Sequence, residues 1–184
     1  PSHIPFYKTA SSEIFYPLNL EKKYDLCWVC NFTQIRHKGQ EFFISNISNS
    51  QYLKSLKIIH CGNKPEVGKQ LCQKYNVTNI EFLGHLNREK INEVLNKSKY
   101  GIMTSNEEDG SPRVITEILM TGTPLLIREK TRLLNYYKQS GVIEFNDENI
   151  ESKIKLAMQS DIKVDINRIN MDTICKLNLE QWRI

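Results

Sequence analysis

Short apolar runs with strand character alternate with segments of helical periodicity along most of the chain, and this alternation constrains the fold more than any other feature. Each run is continuously apolar and rich in β-branched or aromatic residues, which is typical of a strand buried on both faces of a parallel sheet. The predicted strands are 24–32, 56–62, 80–84, 100–105, 123–127 and a short sixth one at 141–145.

The segments between these runs carry apolar residues three and four positions apart, which predicts helices. The predicted helices are 38–48, 65–75, 87–98, 112–120, 148–160 and 166–181. Asn87 is a suitable N-cap for the third of them. The repeated alternation with short loops predicts an α/β fold, a Rossmann-like doubly wound parallel sheet with right-handed crossovers. Ligands bind at the carboxyl ends of the strands in such a sheet.

The length of 184 residues, of which 40% are hydrophobic, suits one domain with one substantial core. We expect a lead-in or linker segment at 1–23, a Rossmann-like domain at 24–160 and a C-terminal helical segment at 161–184. The sequence starts without Met and without the pattern of a signal peptide, so an excised piece of a longer protein is an open interpretation.

The charge balance is mildly basic, at +4, which is compatible with a phosphate ligand or with solvated surface lysines and is too small to indicate nucleic acid. No run of about 18 apolar residues occurs, so no transmembrane segment is expected.

The motif "CWVC" at 27–30 falls inside a predicted strand, where residues three apart point to opposite faces. We therefore interpret its cysteines as buried thiols in a reducing, cytoplasmic setting, with a membrane-peripheral full-length protein as the alternative.

The stretch "DGSPRVITEILMTGTP" at 109–124 has the signals of a helix that starts at the ligand-binding edge of the sheet. Ser111 is a good N-cap and Pro112 a good first helical residue, after the flexible Gly110. The amides of Arg113 and Val114 then stand free at a helix N-terminus, which is a geometry that binds phosphates.

Two acids frame this stretch, Asp109 in the loop and Glu117 in the helix. A carboxylate beside an apolar stripe is costly unless it is paired, and the adjacent hydroxyls of a ribose would satisfy it. Chance occurrence of two acids at this spacing is the alternative, and the glycine, proline and arginine around them favour a site. His60 lies within a predicted strand and is interpreted as a packed core residue.

The stretch 109–124 resembles the E-x7-E region of retaining GT-B glycosyltransferases of the group 1, family 4 type. Further similarity to that family lies in "TQIRHKGQEFFISNI", "LKIIHCGN" and "NIEFLGHLNREKINEVLNKSKYGIMTS", so that it covers about 24–160. Such enzymes have two Rossmann-like domains, and this chain resembles the C-terminal, donor-binding one. The resemblance implies a partner domain of the same kind N-terminal to it.

The resemblance also implies roles for residues of this chain. Glu117 would hold the ribose hydroxyls, and Asp109 would face the donor sugar, as the two catalytic acids. Lys38 would neutralise the diphosphate, together with the helix start formed by Gly110, Ser111, Pro112, Arg113 and Val114. The nucleobase would lie near His85 and Leu86.

For the whole enzyme the resemblance implies a hexosyltransferase of polysaccharide biosynthesis, which moves a sugar from a UDP-, GDP- or ADP-linked donor to a glycan or lipid-linked acceptor. The isolated chain is expected to bind the donor without turnover. No cluster of His, Cys and Asp occurs at metal-ligand spacing, so neither a metal nor a cofactor besides the nucleotide-sugar is expected.

Two departures from the family pattern keep alternatives open. The first acid is Asp109 rather than glutamate, and Thr33 stands where the family has an arginine five residues before Lys38. Arg36 and His37 are nearby cations that could compensate. The alternatives are a non-catalytic Rossmann-like binding module, or another GT-B enzyme such as a nucleotide-sugar epimerase or a phosphorylase.

Overall fold

The computed structural model describes residues 10–32, 38–105, 113–130, 135–138, 140–169, 173 and 175–176. Within these residues a single six-stranded sheet forms the centre of the molecule. Its strands are β1 (Tyr24–Val29), β2 (Ile58–Cys61), β3 (Ile80–Phe82), β4 (Ser98–Met103), β5 (Leu125–Arg128) and β6 (Val142–Phe145).

All strand pairs are parallel, and the strands lie in the order β3-β2-β1-β4-β5-β6. The chain therefore builds the sheet outward from β1 to one edge, then returns to the other side of β1 and builds to the opposite edge. This reversal of direction between β1 and β4 is the point where a crevice opens at the carboxyl ends of the strands. The predicted α/β, Rossmann-like, doubly wound sheet is confirmed.

The described residues contain eight helices, six between the strands and two after β6. They are α1 (Gln40–Asn49), α2 (Gln51–Ser55), α3 (Pro65–Lys74), α4 (Arg88–Asn96), α5 (Arg113–Met120), α6 (Asn135–Lys138), α7 (Ile150–Met158) and α8 (Ile166–Ile169). Asn87 caps α4 as predicted, since its side chain accepts a hydrogen bond of 2.9 Å from the Lys90 amide. The sequence analysis missed α2 and α6, which are too short to show a periodicity.

The helices cover both faces of the sheet and make two separate cores. On one face α1, α3 and α7 pack over Trp28, Leu26 and Ile58. On the other face α4, α5 and α8 pack over the opposite sides of the same strands, around Cys27 and Ile59. The predicted strand 24–32 ends earlier than expected, at Val29, although the amides of Cys30 and Phe32 still donate to the carbonyls of Cys61 and Asn63.

The segment that precedes β1 has no regular secondary structure over residues 10–23, and it packs against α4. Phe15 is fully buried in the second core. The amide of Leu18 donates to the Asn96 side chain at 2.6 Å, and Asn96 in turn donates to the carbonyl of Tyr16 at 3.1 Å. Two buried asparagines on α4, Asn92 and Asn96, thus supply the polar partners that this irregular segment lacks in itself.

Near the other end of the described chain, Ile169 of α8 is buried in the same core. Most of the helix predicted at 166–181 lies outside the described residues, as does Trp182. No described helix has the length and apolar character needed to cross a bilayer.

His60 is a core residue, as predicted from its position in a strand. Its ring is fully buried among Trp28, Phe32 and Phe82, with ring centroids 4.9–5.3 Å away. Its Nε2 lies 2.8 Å from the carbonyl oxygen of Cys30. Burial lowers the pKa of His60 from 6.5 to about 4, although the bond to the Cys30 carbonyl acts in the opposite direction.

The buried His60 is expected to make folding sensitive to mild acid. Its pKa is lower in the folded state than in the unfolded chain, so the unfolded state binds more protons between pH 6.5 and 4. Stability that is present above pH 6.5 is therefore lost as the pH falls through that range, by about 3 kcal/mol from this group. Urea unfolding of the wild type and of His60→Gln between pH 7 and 4 measures the effect as a difference between the two.

The glutamine variant does not titrate, and it retains an amide donor for the Cys30 carbonyl. The stability advantage of the wild type over His60→Gln should shrink as the pH falls. Parallel pH profiles for the two proteins would contradict a buried, neutral His60.

Candidate functional site

A cleft of about 320 Å³ opens at the carboxyl ends of β1, β2 and β4, at the point where the strand order reverses. This size is at the lower end of the range for small-molecule sites. Its walls are the segments that follow these strands and β3, together with one side of α5. It is lined by Val29, Cys30, Asn31, Lys38, Cys61, Gly62, Asn63, His85, Leu86, Ile91, Met103, Thr104, Ser105, Val114 and Glu117.

Five of the residues predicted from the sequence meet in this cleft, although they span 80 positions of the chain. They are Lys38, His85, Leu86, Val114 and Glu117. Arg113 is exposed at the start of α5 and does not line the cleft. The other predicted site residues, Asp109, Gly110, Ser111 and Pro112, lie outside the described residues, as do Thr33, Arg36 and His37.

Glu117 enters the cleft from α5 because the helix has one strongly apolar side. Ile115, Ile118 and Leu119 are fully buried against the sheet, and this fixes the rotation of the helix. Val114 and Glu117, one turn apart, then face the cleft. The carboxylate is half-buried and has no direct hydrogen bond or ion pair with any described residue.

The surroundings of Glu117 disfavour its charge. Burial raises the pKa of this carboxyl above its ordinary value, and the positive charges of Arg88 and Arg113 reduce that rise. A half-buried carboxylate that lacks a direct partner gains from a ligand that brings hydrogen-bond donors.

Lys38 enters from the opposite wall. It precedes Gly39, whose left-handed backbone (φ 66°) turns the chain into α1. The carbonyl of Lys38 accepts a hydrogen bond of 2.8 Å from the hydroxyl of Thr104, which follows β4. Burial lowers the pKa of the Lys38 ammonium, so an anion that binds beside it would restore the stability of the charged form.

Hydrogen bonds between loops tie the tips of the strands to one another and give the cleft its floor. The side chain of Gln40 donates to the carbonyl of Asn31 at 2.9 Å, and the side chain of Asn31 accepts from the amide of Asn63 at 2.8 Å. Gly62 donates to the carbonyl of Gly84 at 2.9 Å. A Cβ on Gly62 would lie 1.8 Å from the carbonyl oxygen of Cys30, so only glycine allows this approach of β1 and β2.

His85 and Leu86 form the side wall after β3. Gly84 has a left-handed backbone (φ 74°), and this turn aims the two following residues at the cleft. His85 is exposed, whereas Leu86 is half-buried against the second core together with Ile91 of α4. This wall therefore offers apolar contact area below an exposed imidazole.

The sequence analysis missed several residues of the cleft, notably Asn31, Asn63, Thr104 and Ser105. Each of them comes within two residues of the last position of β1, β2 or β4. The rule that ligands bind at the carboxyl ends of parallel strands could have found them. Among the described residues, no group of three or more His, Cys, Asp and Glu side chains is placed to hold a metal ion.

A family model described as "Glycosyl transferases group 1" matches residues 23–152, which is most of the chain. The chain belongs to this glycosyltransferase family. The match contains all six strands and the whole of the cleft. A comparison with curated proteins found no match.

Solved structures with the same fold are glycosyltransferases at low identity. A glycosyltransferase from Rickettsia africae has a TM-score of 0.74 at 14% identity, over 96% of this chain and 55% of that one. A C-terminal domain of a group 1 glycosyl transferase from Francisella tularensis has a TM-score of 0.63 at 13% identity, over 91% of this chain and 97% of that one. The Anabaena protein HepE, solved with UDP and glucose, has a TM-score of 0.66 at 12% identity, over 97% of this chain and 51% of that one.

The chain spans about half the length of the first solved structures that it matches, 46% and 56%. The match to the Francisella fragment, by contrast, covers nearly all of that fragment. The fold of this group 1 chain is therefore one half of a GT-B fold, and it corresponds to the C-terminal half.

The half-buried carboxylate of Glu117 leads to a prediction about stability and pH. Because burial raises its pKa in the folded state, its contribution to stability is complete below the unfolded pKa and is lost as the pH rises through the folded pKa. Replacement by glutamine removes that loss. Glu117→Gln should therefore gain stability relative to the wild type between pH 4 and pH 8.

Chemical unfolding across this pH range measures the gain. Glu148→Gln is the matched control, since Glu148 is exposed in the turn before α7. The control should follow the wild type at every pH. A Glu117→Gln profile that also follows the wild type would show that the carboxylate is not destabilised by its position.

Proposed function

We propose that this chain is the donor-binding domain of a retaining glycosyltransferase, which transfers a sugar from a UDP-, GDP- or ADP-linked donor to a glycan or lipid-linked acceptor. The observation that carries the proposal is the pairing of charges in the cleft. Glu117, a carboxylate without a direct partner among the described residues, and Lys38, a half-buried ammonium, face the same cleft from opposite walls.

A nucleoside diphosphate carries a group that suits each of these two side chains. Two adjacent ribose hydroxyls donate to the two oxygens of Glu117, and hydrogen bonds to a carboxylate are the stronger kind. The diphosphate accepts from the Lys38 ammonium. The N-terminus of α5 adds the amides of Arg113 and Val114, which supply further donors for an anion.

The nucleobase fits against the wall made by His85 and Leu86. Leu86 and Ile91 offer an apolar surface to the base, and the exposed edge of the cleft leaves room for it beside His85. The Anabaena structure with UDP and glucose supports a nucleotide and a hexose as ligands of this fold. Asp109 is assigned to hydroxyls of the donor sugar by the family resemblance alone.

The chemical step breaks the bond between the anomeric carbon and the diphosphate oxygen, and it forms a bond from the same carbon to an acceptor oxygen, which loses its proton. Negative charge grows on the diphosphate as it leaves. Lys38 stabilises that charge because its ammonium is already in place and partly dehydrated. Retention of the anomeric configuration is proposed from the family resemblance.

The acceptor and part of the catalytic machinery are assigned to a second Rossmann-like domain. The chain spans about half of the GT-B proteins that it matches. The chain alone is therefore expected to bind the donor without turning it over. Thr33, which replaces the arginine of the family pattern, favours a second candidate: a binding module without transferase activity.

Thermal unfolding with UDP, GDP and ADP tests nucleotide binding. A ligand at a hundred times its dissociation constant stabilises by about 2.7 kcal/mol, which corresponds to a shift of roughly 5–11 °C for a domain of this size. We expect one of the three nucleotides to shift the wild type and Glu148→Gln by the same amount. Glu117→Gln should lose most of the shift, because an amide has one acceptor oxygen instead of two and carries no charge.

A shift that survives in Glu117→Gln would contradict the ribose role of this residue. If no nucleotide shifts this chain or the full-length protein that contains it, the donor-site proposal is wrong. Binding without sugar transfer by the full-length protein would support the binding module instead.

We expect the Lys38 ammonium to contribute to the affinity for the nucleoside diphosphate and not to the affinity for the nucleoside. Hydrogen bonds to charged groups contribute about 1.5–3 kcal/mol, so Lys38→Met should weaken the nucleoside diphosphate by roughly 10- to 100-fold. Lys38→Arg should retain part of the affinity, since the charge remains. Calorimetric titration measures the affinity for the diphosphate and for its nucleoside separately. An equal loss of affinity for both ligands would contradict a role of Lys38 in binding phosphate.

A further inference from the structure

The residue that follows β4, Thr104, makes one contact that links two walls of the cleft. Its side chain is almost fully buried, with 1% of its surface exposed. Its hydroxyl donates to the carbonyl oxygen of Lys38 at 2.8 Å, across 66 positions of sequence. This bond connects the end of β4 to the turn that carries the cation.

Side-chain hydrogen bonds join the backbone around Lys38 to the ends of two strands. Lys38 lies outside the regular part of α1, which begins at Gln40, and Gly39 between them has a left-handed conformation. Two side-chain bonds hold this turn against the strand ends: Gln40 donates to the carbonyl of Asn31 after β1, and Thr104 donates to the carbonyl of Lys38. The first bond fixes the start of the helix, and the second fixes the residue that bears the ammonium.

Lys38 is the sole lysine or arginine among the described residues that line the cleft. Its placement therefore decides how well the cleft meets an anion. A lysine side chain has many rotamers, and the cost of ordering it rises when its backbone also moves. A fixed Cα removes part of that cost before the ligand arrives.

We infer that Thr104 is a positioning residue, which holds the backbone of Lys38 so that its ammonium meets the diphosphate of the bound nucleotide. This inference rests on the proposed donor site and adds a residue that the E-x7-E pattern does not include. Thr104 does not touch the ligand in this role. It acts through Lys38, so its effect should follow the phosphate part of the ligand.

The test compares three substitutions at matched positions. Thr104→Val removes the hydroxyl and keeps the shape, whereas Thr104→Ser keeps the hydroxyl. Thr123→Val is the control, because Thr123 is also fully buried and its hydroxyl also donates to a distant main-chain carbonyl, that of Leu95 at 3.0 Å. Thr123 does not line the cleft.

Affinities are measured for UDP, GDP and ADP, each beside its own nucleoside. For the nucleotide that binds, Thr104→Val should lower the affinity for the diphosphate by about 3- to 10-fold, which is the effect of one net hydrogen bond. The nucleoside should change by less than about twofold, since it does not reach Lys38. Thr104→Ser and Thr123→Val should both retain the affinities of the wild type, even where Thr123→Val melts earlier.

A double-mutant cycle tests whether Thr104 acts through Lys38. In the Lys38→Met background, Thr104→Val should have no further effect on the diphosphate. If Thr104→Val does not fold, Thr104→Ala removes the same hydroxyl and takes its place in the cycle.

The possible outcomes distinguish the donor-site proposal from the proposed role of Thr104. If the wild type binds none of the three nucleotides, the donor-site proposal is wrong, and the proposed role of Thr104 is then wrong as well. If Lys38→Met weakens the binding of the diphosphate and Thr104→Val leaves that binding unchanged, the donor-site proposal is supported and the role of Thr104 is overturned. Equal losses of nucleoside and diphosphate in Thr104→Val would also overturn it, because they indicate a general loosening of the cleft.

Discussion

The pairing of β1 with β4 is the interaction on which the rest of the structure depends. These two strands are neighbours in the sheet although β2 and β3 lie between them in sequence, with Leu26 beside Tyr100 and Cys27 beside Gly101. Their pairing is what places the reversal of strand order at the centre of the sheet. It also brings the end of β1 next to the end of β4, so that Asn31 and Thr104 line the same cleft.

The close packing of α5 on β4 follows from one small residue. Gly101 lies at the centre of β4, and a Cβ at this position would come within 2.7 Å of the Ile118 side chain. The helix can therefore approach the sheet closely, and its buried residues fix its rotation. Glu117 reaches the cleft as a consequence of that rotation, and Gly101 sets how closely the helix that carries it can pack on the sheet.

Burial disfavours the charged form of two side chains in the cleft, Lys38 and Glu117. Burial lowers the pKa of Lys38 and raises the pKa of Glu117, which means that each group loses part of its hydration when the chain folds. The proposed nucleoside diphosphate would place hydroxyl donors beside Glu117 and phosphates beside Lys38.

Much of this arrangement could be predicted from the sequence, and the reasons for the rest are physical. The apolar runs and the helical periodicity predicted the order of the elements, and the Ser-Pro start, Glu117 and the glycine after α5 predicted the helix that carries the carboxylate. The role of Thr104 could not be predicted, because a threonine after a strand has no pattern that reveals its partner 66 positions away. The same holds for Asn31 and Asn63, whose bond depends on the pairing of β1 and β2. The short α2 and α6 were missed because four or five residues cannot show a helical period.

The central position of β1 has a consequence for the rate at which its amide protons exchange with solvent. This strand is paired on both sides and covered by a core on each face, so its amides open only when the whole domain unfolds. The edge strands β3 and β6 have one paired side each and should exchange sooner. We therefore expect β1 to exchange most slowly among the described strands, whereas the loops around the cleft should open locally. A bound nucleotide that bridges these loops should slow deuterium uptake in them and leave β1 unchanged.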